Sequence, residues 1–387
     1  MGFWVLVLLA PTKKFNVKKK SRIIAFHLPQ FYPTIENDKW WGKGFTEWTN
    51  VAKAKPLFPG HYQPHVPADL GFYDLRLPEA RHAQAELARS YGIEGFCYYH
   101  YWMGDGRRML ERPVDEIIDS GKPDFPFCLC WANHSWNTAW QGTDTMLAEQ
   151  TYPGMDDHKA HFNWLLKAFK DPRYLTVDGK PIFLIYKPDD IPDVKNVMKY
   201  WRQCAVENGL PGLYLIGVSH RNQGWDPRER GLDASTMQAL PPSDGHMPKR
   251  HLLTKLKLAL KGKEHKLTIW DYEEVLPILL RNRPVEWPDY PLTLPNWDNT
   301  PRTSTRGLVF QNATPELFRR HLREAISRVE SRPNDERIVF LKAWNEWAEG
   351  NHIEPDQKWG HAWLEVIKDE VVDCEHLDQK AKHSLTD

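Results

Sequence analysis

The stretch Ile338-Val339-Phe340-Leu341-Lys342-Ala343-Trp344-Asn345-Glu346-Trp347-Ala348-Glu349-Gly350 falls into two pieces. A short, β-rich apolar run comes first, and a cluster of tryptophans, an amide and two carboxylates follows directly. An apolar run without clean alternation suits a strand buried on both faces, as parallel strands covered by helices are. The same pattern recurs upstream. Residues 23–27, 95–99, 125–131, 182–186, 214–218, 234–237, 292–295 and 338–343 read as strands. Helical periodicity fills the intervals at 78–91, 114–120, 156–169, 194–208, 272–280 and 315–331. The last of these opens Thr314-Pro315-Glu316, which is an N-cap, a proline at the first helical position and an early acid. Eight strands with helices between them predict an α/β protein, a single (β/α)8 TIM barrel with long strand-to-helix loops. No internal repeat or Gly/Ser linker divides the chain, so the barrel is expected to occupy residues 22–370.

Composition agrees with one soluble enzyme-sized domain. The 387 residues carry 51 basic and 51 acidic side chains, so the chain as a whole offers no field for a nucleic-acid backbone, and no nucleic-acid partner is expected. Five cysteines are too few for a disulfide scaffold at this length; Cys97, Cys128 and Cys130 read as small buried strand residues. Residues 3–10 are apolar but too short to span a bilayer, which needs about 20 residues. Residues 1–21 are therefore expected to be a disordered segment or the remnant of a targeting signal, and 371–387 a tail. A cytoplasmic location follows as the expectation, with export or membrane association through the apolar start as the alternative. Two inserts interrupt the alternation, at 32–77 and at 240–266. The second is basic with leucines at helical spacing, and reads as a helix packed on the barrel, or as an amphipathic membrane contact.

Chemistry gathers at the carboxyl ends of the expected strands, where the active sites of such barrels lie. The clusters read Phe26-His27-Leu28-Pro29-Gln30-Phe31-Tyr32, Tyr98-Tyr99-His100-Tyr101-Trp102, Trp131-Ala132-Asn133-His134-Ser135-Trp136, Asn296-Trp297-Asp298-Asn299 and the closing Trp344 to Gly350. Eighteen tryptophans, 14 tyrosines and 16 phenylalanines exceed what a core normally uses, and suit a groove whose walls stack on sugar rings. Glu346 and Glu349 are three residues apart after the last strand. Two carboxyl groups in unlike environments are the usual apparatus of glycoside hydrolysis. The same spacing also suits two loop glutamates held by arginine or by backbone N–H groups.

The run from Glu36 through Lys39-Trp40-Trp41-Gly42-Lys43-Gly44-Phe45-Thr46-Glu47-Trp48 to Asn50 resembles the opening signature of the WbsX-type proteins. So do Gly71-Phe72-Tyr73-Asp74-Leu75-Arg76, Gly95 to Trp102, Trp297-Asp298-Asn299-Thr300-Pro301-Arg302, and Trp344 to Gly350 with Glu354-Pro355-Asp356. Proteins of this type are described as glycosyltransferases of polysaccharide gene clusters, O-antigen synthesis among them. Their barrel looks like that of glycoside hydrolase family 99, the endo-α-mannosidases and endo-α-mannanases. The resemblance implies catalytic roles for Glu346 and Glu349 and retention of anomeric configuration without a protein nucleophile. Glu346 would act as base on the sugar's own 2-hydroxyl, and Glu349 would protonate the departing oxygen. It further implies an oligo- or polysaccharide partner and no cofactor. Residues expected to bind substrate are His27, Trp41, Glu47, Trp48, Tyr99, His100, Trp102, Trp131, Asn133, His134, Tyr186, Trp297, Asp298, Arg302, Asn345 and Trp347. Related sequences read Trp-Ala-Asn-Glu where this chain has Trp131-Ala132-Asn133-His134, with an arginine soon after; here His134 and Ala139 stand instead. His27, His100 and His134 lack metal-ligand spacing, and no metal site is expected.

Overall fold

A computed structural model describes residues 19–138, 143–219, 225–237, 240, 267–280 and 284–372. The apolar residues 3–10, Ala139, the tail from 373 and all of the second insert beyond Leu240 lie outside them.

Parallel strands run in sequence order around one barrel. They are β1 (Arg22–His27), β2 (Gly95–Trp102), β3 (Phe127–Trp131), β4 (Lys180–Ile185), β5 (Tyr214–Ser219), β6 (Ala234–Met237), β7 (Asp289–Tyr290 with Leu292–Thr293) and β8 (Ile338–Leu341). Among the described residues, nine parallel segments of this sheet thus make eight strands, because Pro291 interrupts the seventh. Proline has no N–H for a ladder, yet its carbonyl still accepts from Phe340 N at 2.9 Å. One half of β7 pairs with β6 (Ser235 opposite Asp289) and the other with β8 (Leu292 opposite Phe340), so the ring closes through that proline. The register is continued by Arg22 opposite Ile338 and Ile24 opposite Gly95.

Every residue of β2 and β3 is buried, the two-faced burial expected of strands under helices. The helices Pro78–Ser90, Met155–Phe169, Val194–Glu207 and Pro315–Ser327 return the chain between strands. The last starts as its sequence dictates, with Thr314 Oγ1 accepting from Leu317 N at 3.3 Å. Cys97, Cys128 and Cys130 are buried free thiols. The insert after β1 folds onto the carboxyl end of the barrel with two short helices, Ile35–Trp41 and Glu47–Lys53. The described chain begins and ends together: Lys20 N donates to Val371 O at 3.0 Å, and Lys19 bridges Val372. Among the described residues no helix is long and apolar enough to cross a membrane.

Candidate active site

After β8 the chain makes a small hairpin in which Asn345–Glu346 pairs antiparallel with Asn351–His352. The turn Trp347–Glu349 is a single 3-10 turn closed by Gly350 at φ +58°. Glycine is required there twice over. The backbone is left-handed, and a Cβ would lie 2.8 Å from the Cβ of Asp298. Asp298 N in turn donates to Glu349 O at 2.6 Å, so the loop after β7 braces the turn.

This turn points Glu346 and Glu349 into a cavity of about 370 Å³ at the carboxyl end of the barrel. Arg302, from the loop after β7, binds three carboxylates at once. Its Nε reaches Glu47 Oε1 at 2.7 Å, Nη1 reaches Glu349 Oε1 at 2.6 Å, and Nη2 reaches Glu346 Oε2 at 3.0 Å. The two readings left open by the spacing are therefore both met: the glutamates are held by an arginine, and they face a cavity. Glu47 is placed by the N-terminus of the helix Glu47–Lys53, where its own N–H donates to Gln30 O.

Lys342 is the second cation of the cavity and was missed in the sequence. Its ammonium lies 5.2 Å from the centre of the Trp297 ring and makes no hydrogen bond or ion pair among the described residues. Burial alone would lower its proton affinity, but the nearby charges of Glu349 and Glu346 reverse this and hold it above the usual lysine value. Burial is also the largest influence on Glu346, whose carboxyl is pushed up to about 7; Glu349 adds to the rise, and Arg302 and Lys342 oppose it. The side chain of Glu349 is more open, 16% exposed against 6% for Glu346.

The walls are aromatic. Trp41, Phe45, Tyr99, Tyr101, Trp136 and Tyr186 line the cavity with His134 and Asn50. Trp136 Nε1 and Asn50 Oδ1 are buried with no hydrogen-bond partner, one a donor and one an acceptor. Such orphans cost about 1–3 kcal/mol each until a ligand pairs with them.

Of the residues expected from the sequence, the cavity thus gathers Trp41, Glu47, Tyr99, His134, Tyr186, Arg302, Glu346 and Glu349. The others sit behind the wall. His100 and Trp102 lie on the opposite face of β2 from Tyr99 and Tyr101. His100 stacks on Trp164 and meets His161 at 2.9 Å, while Trp102 stacks on His161 and donates to Asp157. Trp131 points the same way, its ring packed on His161 and Trp201. His27 is 3.2 Å from Gln84 on the helix Pro78–Ser90. Asn133 ties β3 to β4, accepting from Lys187 N and donating to Lys187 O. Asn345 does the same between β8 and β1 through both backbone groups of Leu28. Trp48 donates to Tyr73 O, and Trp297 packs under Lys342. Asp298 is consumed by His61, Gln63 and Thr300.

Trp347 leads to a further carboxylate, for which the sequence pattern signals no role. Glu354 is wholly buried and accepts from Trp347 Nε1 at 2.6 Å, Gln84 Nε2 at 2.7 Å and Tyr73 OH at 2.9 Å. Together with Asn345, which also reaches Tyr73 OH at 3.2 Å, it fixes the back of the hairpin.

The chain is similar to solved structures of glycoside hydrolase-like proteins. A glycoside hydrolase-like protein aligns over 95% of this chain and 98% of its own, at 18% identity and a TM-score of 0.54. The GH99 endo-alpha-mannosidase from Bacteroides thetaiotaomicron aligns over 94% and 98%, at 14% identity and the same TM-score. At these identities the likeness speaks for the fold, a (β/α)8 barrel. Among curated sequences, the uncharacterized protein WxcX of Xanthomonas campestris pv. campestris (strain B100) is 38% identical over 354 residues. That match takes in 90% of this chain and 49% of WxcX, so the chain spans about half the length of the curated relatives it matches. A match to the glycosyltransferase WbsX family runs over residues 23–367, from the first barrel strand to the last helix, and the chain belongs to that family.

Proposed function

We propose that the protein is a retaining, endo-acting glycoside hydrolase or transglycosidase, acting on a polysaccharide with manno-configured units such as α-mannose or α-rhamnose. The observation that carries this reading is the pair Glu346 and Glu349, presented together by one turn into an aromatic-walled cavity. In such sugars the 2-hydroxyl lies trans to the leaving group, so it can attack C1 from within the ring. An intramolecular nucleophile gains proximity at little entropic cost. Glu346 takes the 2-hydroxyl proton as O2 bonds to C1. The C1–oxygen bond breaks, and Glu349 gives its proton to the departing glycosidic oxygen. Water, or an acceptor hydroxyl, then adds to C1 with Glu349 as base, while O2 recovers its proton from Glu346.

The geometry supports these roles. A carboxyl near 7 can both release and regain a proton at neutral pH, as the Glu346 step requires. Arg302 occupies Oε1 of Glu349 and Oε2 of Glu346, leaving the other oxygen of each for proton transfer. Trp136 Nε1, Asn50 Oδ1 and the Lys342 ammonium offer hydrogen bonds to hydroxyls, and Trp41 offers a stacking face.

The test is product analysis on a panel of α-mannan and α-rhamnan polymers. Shortened oligosaccharides with retained configuration are expected, and Glu349→Gln should abolish their release while keeping polymer binding. The family description favours a second reading, a nucleotide-sugar glycosyltransferase. Strict dependence of product formation on a nucleotide sugar would select it and overturn the first.

A further inference from the structure

Behind the catalytic hairpin lies a second cavity of about 100 Å³, walled by His61, His65, Asp298, His352 and Asp356. Asp298 is fully engaged with His61, Gln63 and Thr300. The remaining three groups converge differently. One donor atom from each of His65, His352 and Asp356 lies within 4.8 Å of the others, and all three residues are buried. His65 Nδ1 is 2.9 Å from His352 Nε2, which is 3.7 Å from Asp356 Oδ2.

The surroundings orient these atoms. His352 Nδ1 is 3.0 Å from the carbonyl oxygen of Glu354, so its proton sits there and Nε2 turns a lone pair to the cluster. Asp356 Oδ1 accepts from Lys358 N and Trp359 N, which leaves Oδ2 facing the histidines. Outer hydrogen bonds of this kind fix the tautomer and angle of metal ligands.

We propose that His65 Nδ1, His352 Nε2 and Asp356 Oδ2 form a site for one divalent transition-metal ion of the zinc class. Two imidazoles and a carboxylate suit zinc, and a tetrahedral ion would take its fourth ligand, a water, from the cavity. Donors around tetrahedral zinc stand about 3.3 Å apart, given bonds of about 2.0–2.1 Å. The two separations of 2.9 and 3.7 Å bracket that value. The site joins three segments: the loop after β1, the return strand of the hairpin, and the turn beyond it. The first and last already pair, Ala68 N with Pro355 O and Gln357 N with Val66 O, both at 2.9 Å. His352 also stacks on Trp347 with ring centres 3.6 Å apart, so an ion here would stiffen the hairpin from behind without touching substrate.

The experiment uses the full untagged chain, stripped with a chelator and then titrated with Zn²⁺ by calorimetry and thermal melting. One equivalent is expected to bind and to raise the melting midpoint. His65→Gln keeps an amide donor for His352 Nε2, so it should fold, yet lose Zn²⁺ affinity by more than the roughly 10- to 100-fold that loss of an outer partner costs. Asp356→Asn should behave alike. No binding by the stripped protein, or equal binding by both variants, would overturn the proposal and leave a histidine–histidine hydrogen bond in its place.

Discussion

Glu346 and Glu354 are both buried glutamates, eight positions apart, and burial pushes both carboxyl groups up to about 7. Their neighbours differ. Glu346 faces a cavity and is surrounded by charges, Glu349, Arg302, Lys342 and Glu47. Glu354 lines neither of the two cavities described above and is satisfied by three neutral donors, Trp347, Gln84 and Tyr73. A raised proton affinity therefore marks burial, and only access to a cavity and a charged partner turns it into chemistry. On the proposed function the first glutamate exchanges a proton with the sugar, while the second holds a turn in place.

Substitution should split the pair sharply. Glu346→Gln keeps an acceptor for Arg302 and fills the same space, so the melting midpoint should stay near that of the parent. Turnover on a polymer substrate should fall by about 10³-fold, the range general acid–base groups supply. Equal loss from Glu354→Gln would erase the distinction. Glu354→Ala strands three buried donors and should cost on the order of 3–5 kcal/mol of unfolding free energy in denaturant titration. Its folded fraction should lose turnover only as far as the hairpin loosens.

A pH series sharpens the contrast further. The folded state holds both carboxyl protons up to about 7, whereas the unfolded chain releases them near 4.5. Stability contributed by the protonated groups is thus present below about 4.5 and lost as pH climbs towards 7, by up to about 3 kcal/mol for each. In Glu354→Gln that loss disappears for one group, so the stability gap between parent and variant should narrow from pH 5 to 7.5. Arg302→Met removes a charge that holds Glu346 down. If Glu346 works ionised, the acidic limb of kcat/KM should then move to higher pH. Lys342→Met should move the same limb in the same direction by less, since its influence on Glu346 is the weaker. A limb that stays put in both variants would assign it to another group.

The barrel was legible because buried parallel strands announce themselves as short apolar runs, and all eight lie where those runs stand. The seventh starts three residues early, at Asp289, since Pro291 masked its first half. The site was legible less evenly. Tyr99, His100 and Trp102 were all expected to meet substrate, but a strand turns alternate side chains to opposite faces. That period would have kept Tyr99, added Tyr101, and sent His100 and Trp102 to the helices, where they lie. Lys342 also left a signal, as the lone charge inside an apolar strand run. Trp136 and Asn50 stand inside the runs quoted above, but loops and short helices carry no period long enough to tell one face from the other.

Because Lys20 N donates to Val371 O, the first strand and the last helix of the barrel meet at one spot on its surface. A unit that enters and exits at one spot behaves like a bead with a single attachment point. It can be spliced into a longer polypeptide, or reconnected end to end and reopened at a surface loop, without pulling its first and last strands apart.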